Sequence, residues 1–341
     1  MKQTRVLIVD DSAFARKVLR DVLQAVPGIE VVGIARDGLD ALTKIEELDP
    51  DVVTLDLVMP NLDGLDTLRA LASRPRPRVI VVCMADSDSE QAIAALEAGA
   101  VDVVHKPTAL ATDRLYELSK ELVFKVQAAA EARPTPSAAA LPAAPAPTGG
   151  QYSGQHDLLV VGASTGGPQA ITRLLKSMPA DFPVPIAIVV HLPAGFTQSF
   201  AERLDGECAL HVVEASEGVR LTKGVAVIAR GGLHFKIHRD DAGLYGSLGS
   251  QPQSLHRPSV DQLFASAATA APGRVLGVVL TGMGDDGLIG GRQLVETGAK
   301  LLVEAEASCV VYGMPRVIQE AGLASGQYRI EQMASAIIER I

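Results

Sequence analysis

The stretch Arg5-Val6-Leu7-Ile8-Val9-Asp10-Asp11-Ser12 carries four consecutive aliphatic residues that end on two acids. A short unbroken apolar run, without alternation, reads as a strand buried on both faces, the habit of a parallel sheet. The same kind of run recurs at Val31–Ala35, Val52–Asp56, Arg78–Cys83 and Val101–His105, with helical patterning between, as in Ala13–Gln24 and Gln91–Ala98. Five βα units of this kind predict a doubly wound, five-stranded parallel sheet of the flavodoxin-like type.

Further along, residues 128–150 hold ten alanines and five prolines and close on Gly149-Gly150. An Ala-rich helix continuing from Lys120 is stopped there by Pro134, Pro136, Pro142, Pro145 and Pro147. The expected organisation is a first domain at 1–127, an Ala/Pro-rich linker at 128–152 and a second domain at 153–341. Strand candidates resume at Asp157–Gly162, Ile186–His191, His211–Glu214, Val225–Ala229, Val275–Thr281 and Leu301–Glu304. Helices are expected near Pro168, Gly195, Asp261, Gly287, Met314 and Glu331. Short strands and Gly turns from Gly224 to Gly249 suggest an antiparallel hairpin. The second domain is therefore also α/β, with a mainly parallel sheet plus that hairpin.

Composition bounds the class. The 341 residues suit about two domains. Apolar residues make up 48 % and charged residues 21 %, the balance of a folded protein. The net charge is −9 and no Lys/Arg run accompanies it, which argues against a nucleic-acid partner. Cys83, Cys208 and Cys309 are far apart and odd in number, so neither a zinc site nor a disulfide framework is expected. No apolar run reaches the about 18 residues of a membrane span, and the N-terminus enters a strand directly. The expectation is a soluble cytoplasmic protein without direct membrane insertion.

In an open α/β sheet, ligands bind at the carboxyl ends of the strands. Asp10 and Asp11 end the first strand, Asp56 the third, and Lys106 the fifth. Converging carboxylates repel, which calls for a cation. Oxygen ligands with no His or Cys nearby suit a hard ion such as Mg²⁺. A carboxylate so placed can attack phosphorus and form an aspartyl phosphate, with the metal and Lys106 offsetting the transferred charge.

In these residues, Asp10-Asp11-Ser12, Leu55-Asp56-Leu57-Val58-Met59-Pro60 with Asp63-Gly64, and His105-Lys106-Pro107, the segment 1–125 resembles the receiver domain of two-component response regulators. The resemblance implies Asp56 as phosphoacceptor, Asp10 and Asp11 with Asp56 as metal ligands, and Lys106 as phosphate partner. Receivers carry Ser or Thr at the end of strand four. Here the stretch is Val81-Val82-Cys83-Met84-Ala85, and a thiol is a weaker hydrogen-bonding group than a hydroxyl. The Lys106-Pro107 peptide is a candidate cis bond.

A second constellation begins at Val160-Val161-Gly162-Ala163-Ser164-Thr165-Gly166-Gly167-Pro168, between a strand and a helix. Gly162 and Gly166 give the G-x-S-x-G spacing of a nucleophile elbow, with helix N-terminal amides at hand for an oxyanion. Alone the motif also fits a Gly-rich turn with Ser164 as a helix cap. A serine nucleophile needs a base, and the base an orienting acid. His191 ends the next strand, and Leu280-Thr281-Gly282-Met283-Gly284-Asp285-Asp286-Gly287 supplies two carboxylates at the same edge. The chain order is Ser, His, Asp, which is not that of the α/β-hydrolases.

With His191-Leu192-Pro193-Ala194-Gly195-Phe196-Thr197 and His256-Arg257-Pro258-Ser259-Val260-Asp261 added, residues 155–341 resemble the catalytic domain of the chemotaxis protein-glutamate methylesterases. That resemblance implies Ser164 as nucleophile, His191 as general base, Asp286 as orienting acid, and backbone near Thr165 and Met283 as oxyanion support. It implies hydrolysis of glutamyl methyl esters, with deamidation of glutamines, on methyl-accepting chemoreceptors. It further implies a histidine kinase as phosphate source, and a receiver that packs over the active-site face until Asp56 is phosphorylated. The esterase chemistry calls for no cofactor of its own. The same enzyme in a non-flagellar chemosensory system, and a non-catalytic phospho-switch, are the rival readings.

Overall fold

A computed structural model describes residues 3–72, 74, 77–106, 112–132 and 154–341. The chain forms two compact units, divided between Leu141 and Pro142.

The first unit runs β1 (Thr4–Val9), α1 (Ala13–Gln24), β2 (Ile29–Ala35), α2 (Gly38–Leu48), β3 (Val52–Leu55), α3 (Gly64–Leu71), β4 (Arg78–Cys83), α4 (Ala85–Glu97), β5 (Asp102–His105) and α5 (Thr112–Glu131). All strand pairs are parallel, in the order β2-β1-β3-β4-β5. Val6, Leu7, Ile8, Val52, Val53, Val81 and Val103 are wholly buried, as runs covered on both faces require. Pairing in β1 and β3 stops at Val9 and Leu55, which leaves Asp10 and Asp56 on the loops where the strand order reverses.

α5 carries the helix that continues from Lys120 past residue 127 into the Ala-rich segment. The helix continues to Glu131, with Val126, Ala128 and Ala129 fully buried, and the Arg78 side chain donates to the Ala132 carbonyl at 3.1 Å. Alanine is the best helix former and small enough to pack closely, so the first alanines of the biased segment belong to the first unit. The rest of that segment, and Pro107 with its candidate cis bond, lie outside the described residues.

The second unit runs β6 (Leu158–Ala163), α6 (Gly167–Lys176), β7 (Ile186–Val190), α7 (Thr197–Glu207), β8 (His211–Glu214), β9 (Val225–Ile228), β10 (His234–Asp240), β11 (Gly243–Gly249), α8 (Val260–Ala270), β12 (Val275–Val279), α9 (Leu288–Glu296), β13 (Lys300–Glu304), α10 (Met314–Glu320), β14 (Gly326–Tyr328) and α11 (Ile330–Ile338). Seven strands form a parallel sheet in the order β14-β13-β12-β6-β7-β9-β8, and β10-β11 make the separate antiparallel hairpin. β14 is absent from the sequence reading because Gly-Gln-Tyr offers no aliphatic run; it pairs parallel on β13 at the sheet edge. The core is aliphatic, with Phe182, Phe196, Phe235 and Phe264 as its largest fully buried side chains. β6 lies between β12 and β7, so the loops after these three strands meet at one edge.

Candidate functional site

In the first unit the sheet edge gathers the expected acids. Asp10 and Asp56 are almost wholly buried, whereas Asp11 is exposed. One oxygen from each of the three lies within 4.8 Å of the others. Lys106 Nζ stands 2.6 Å from Asp56 Oδ2, 3.1 Å from Asp10 Oδ1 and 3.9 Å from Asp11 Oδ1. Asp10 Oδ1 also accepts from the Ser12 amide at 2.8 Å, while its buried Oδ2 has no hydrogen-bond partner. Burial pushes Asp56 up to about 6 against the pull of the Lys106 hydrogen bond. Burial likewise raises Asp10, against the pull of Lys106. Lys106 itself is held above its ordinary value: burial lowers it, but the Asp56 hydrogen bond and the charges of Asp56 and Asp10 outweigh that. An oxygen-only set with an orphaned buried carboxylate oxygen fits a hard divalent cation.

Cys83 ends β4 fully buried, paired with His105, and its carbonyl accepts the Lys106 amide at 2.8 Å. Burial, followed by the charges of Asp88 and Asp56, pushes its thiol far above the ordinary range, so the group is S–H.

In the second unit Ser164 follows β6 directly and is 3 % exposed. Its amide donates to the Thr281 carbonyl at 3.0 Å, and the Gly167 amide donates to the Ser164 carbonyl at 2.6 Å. Gly166 takes φ +77°, the left-handed turn that brings the chain from strand into α6. The His191 amide donates to the Ala163 carbonyl at 3.2 Å, which seats the imidazole beside the Ser164 turn. His191 Nε2 lies 2.8 Å from Asp286 Oδ2. The structure thus separates the two aspartates: Asp286 reaches His191, and Asp285 is exposed.

Asp286 is gripped from the start of α8. Oδ1 accepts from Ser259 Oγ at 2.9 Å and the Asp261 amide at 2.9 Å, and Oδ2 accepts from the Val260 amide at 2.8 Å. These are unsatisfied amides of a helix N-terminus, where negative charge is favoured. Burial pushes Asp286 up, but the His191 hydrogen bond and charge, with the Asp261 and Val260 amides, hold it well below the usual carboxylate range. Asp261 answers in kind at α9, accepting from the amides of Gly287 at 3.0 Å and Gly290 at 2.7 Å. The two helix starts cap each other across the loop that bears the acid.

The His256–Asp261 segment, to which sequence reading assigned no chemistry, therefore holds the acid. It also supplies His256, whose ring stacks on His191 with centroids 4.1 Å apart and planes 11° from parallel. The signal was the Ser259-Val260-Asp261-Gln262 start itself, since Ser259 Oγ accepts from the Gln262 amide at 3.4 Å. Of the expected oxyanion residues, Thr165 is fully buried and Met283 half-buried on the loop after β12. Gly282 lies against Ser164 so closely that a Cβ there would stand 2.7 Å from Ser164 Cβ.

The family model for CheB methylesterase matches residues 159–337, and that for the response regulator receiver domain matches residues 6–118. The chain belongs to the CheB methylesterase family. Protein-glutamate methylesterase/protein-glutamine glutaminase 5 of Myxococcus xanthus (strain DK1622) is 54 % identical over 343 residues, covering 98 % of this chain and 97 % of the relative. Protein-glutamate methylesterase/protein-glutamine glutaminase of Bordetella parapertussis (strain 12822 / ATCC BAA-587 / NCTC 13253) is 43 % identical over 344 residues, covering 100 % and 98 %. Among solved structures, the Thermotoga maritima CheB methylesterase catalytic domain matches with a TM-score of 0.53 at 34 % identity, covering 54 % of this chain and 98 % of that one. The two relatives match across both units, and none of the described helices is long and apolar enough to cross a membrane.

Proposed function

We propose that this chain is a phosphorylation-regulated serine hydrolase that demethylates glutamyl γ-methyl esters on chemoreceptors. The observation that carries this reading is the His191–Asp286 contact of 2.8 Å, formed beside Ser164 on its elbow. An ionised Asp286 only accepts, so His191 Nε2 holds the proton and Nδ1 keeps the lone pair. Nδ1 is then the base. It takes the Ser164 Oγ proton as Oγ attacks the ester carbonyl. The oxyanion forms next to the backbone near Thr165 and Met283. Collapse expels methoxide, which takes the proton from His191 and leaves as methanol. His191 next draws a proton from water as it attacks the glutamyl–Ser164 ester, and returns that proton to the departing Ser164 Oγ as glutamate is released. The same acyl chemistry with ammonia as leaving group would deamidate a glutamine. The relatives are named for both activities.

In the receiver unit, Asp56 is the phosphoacceptor and Lys106 the cation that meets the incoming phosphoryl group. Asp10, Asp11 and Asp56 would hold Mg²⁺, which when bound neutralises charge on the transferring phosphate. A histidine kinase of the same signalling system is the fitting phosphate source, and adaptation in chemotaxis the fitting role.

Ser164→Ala should release no methanol from membranes carrying methylated chemoreceptors while keeping its circular dichroism and melting profile. Methanol release at the wild-type rate from that variant would overturn the assignment.

A further inference from the structure

Glu304 is a buried carboxylate that the proposed chemistry does not use. It ends β13, is 1 % exposed, and no described cation pairs with it. Its Oε2 accepts from the Thr281 amide at 2.8 Å and its Oε1 from Ser308 Oγ at 2.9 Å. Thr281 is the hub of the nucleophile turn. Its carbonyl accepts from the Ser164 amide at 3.0 Å. Its hydroxyl lies 3.0 Å from the Thr165 carbonyl and 3.2 Å from the Val311 carbonyl, and accepts from the Val311 amide at 2.9 Å. The next residue is Gly282, packed on Ser164. One carboxylate thus stands behind both the Ser164-Thr165 turn and the Thr281-Gly282 loop.

We propose that Glu304 is a positioning residue for the hydrolysis, which through Thr281 fixes the backbone of Ser164, Thr165 and Gly282-Met283. The inference rests on the esterase reading given above. A neutral glutamine could make the same two contacts: its carbonyl would accept from Thr281, and its amide would donate to Ser308, whose hydroxyl can turn to the Ala305 carbonyl 3.3 Å away. A buried charge is costlier than that amide, so stability alone does not call for an acid here. What the charge adds is a stronger, shorter bond to the Thr281 amide. Burial pushes Glu304 up to about 7, opposed by the Thr281 amide and the Ser308 hydroxyl; Glu331 of α11 raises it further and Arg173 of α6 lowers it. The buried Cys309 thiol lies 3.8 Å from its carbonyl. Its charge therefore changes within the working range. Acid should loosen the turn and alkali tighten it.

The sign for stability is opposite. A carboxyl whose folded value is raised makes the fold less stable as pH rises from the ordinary glutamate range through about 7. Glu304→Gln in the full chain should therefore melt higher than wild type at pH 8, with the gap closing near pH 5. Its kcat on methylated receptor membranes should fall about tenfold at pH 8 with KM unchanged, and the wild-type to variant ratio should close to within about twofold below pH 6. The His191 base is common to both proteins and cancels in that ratio. A ratio independent of pH, an unchanged kcat, or a variant both slower and less stable at pH 8 would overturn the proposal. If the variant fails to fold, the wild-type amide resonances of Thr281 and Ser164 decide: a shared titration near neutrality supports the coupling, and its absence refutes it. That reading needs no turnover, so it stays separate from failure of the esterase assignment, which would appear as no methanol release by wild type.

Discussion

At Gly282 the tolerance of the site is set by single atoms. An added methyl would stand 2.7 Å from Ser164 Cβ, 3.0 Å from the Ser164 amide nitrogen and 2.5 Å from Met314 Sδ. Met314 can swing away; the Ser164 backbone cannot, because its amide is bound to Thr281 and its carbonyl to Gly167. Gly282→Ala should push Ser164 off line and lower kcat about a hundredfold, with modest loss of stability, as read by methanol release alongside a melting curve. A variant with wild-type kcat would mean that the turn yields freely. Asp286 shows the complementary device. Four donors hold its charge, so it stays ionised throughout the neutral range. Its contribution to stability is present above the ordinary aspartate value and is lost only as pH falls below it.

Among the elements, α5 carries the clearest packing prediction. Lys125 is 3 % exposed and lies 2.9 Å from Asp102 and 3.1 Å from Glu121, with the Val103 carbonyl at 2.7 Å. Asp102 is buried in β5, so Lys125→Met takes a cation from a buried carboxylate and should destabilise the receiver unit by about 3 kcal/mol. Adding Asp102→Asn should recover part of that loss in a denaturant melt; no recovery would place the cost elsewhere. These elements were legible in unequal measure. Strands such as Val52–Leu55 and Ile186–Val190 stood out because burial on both faces demands aliphatic runs. Ser164, His191 and Asp56 stood out because each follows such a run directly. The end of α5 was marked by Pro134, although alanine serves helix and linker alike. The Ser259-Val260-Asp261-Gln262 start announced a helix cap, but not its grip on Asp286, which adds two main-chain amides to the Ser259 hydroxyl and spans 25 to 27 positions of sequence. Glu304 gave no signal at all, because a lone acid at a strand end is ordinary until its burial is known.

On the scale of the whole molecule, two units of one architecture carry two chemistries. Both gather their residues where loops leave the carboxyl ends of parallel strands, and in both the first strand of the unit supplies a central residue, Asp10 after β1 and Ser164 after β6. The receiver pocket has three acids and one lysine but no serine or threonine at the end of β4; Cys83, held as a thiol, stands there instead. A thiol is a weaker hydrogen-bonding group than a hydroxyl, so the proposed regulation is expected to be weaker or differently wired than one that uses a serine or threonine. The direct test is methanol release by the full chain from methylated chemoreceptor membranes, with Mg²⁺, in the presence and absence of a small phosphodonor. A marked rise with the donor is expected, abolished by Asp56→Ala, and no release in either condition for Ser164→Ala. Equal release with and without donor would contradict the claim that the receiver governs the esterase.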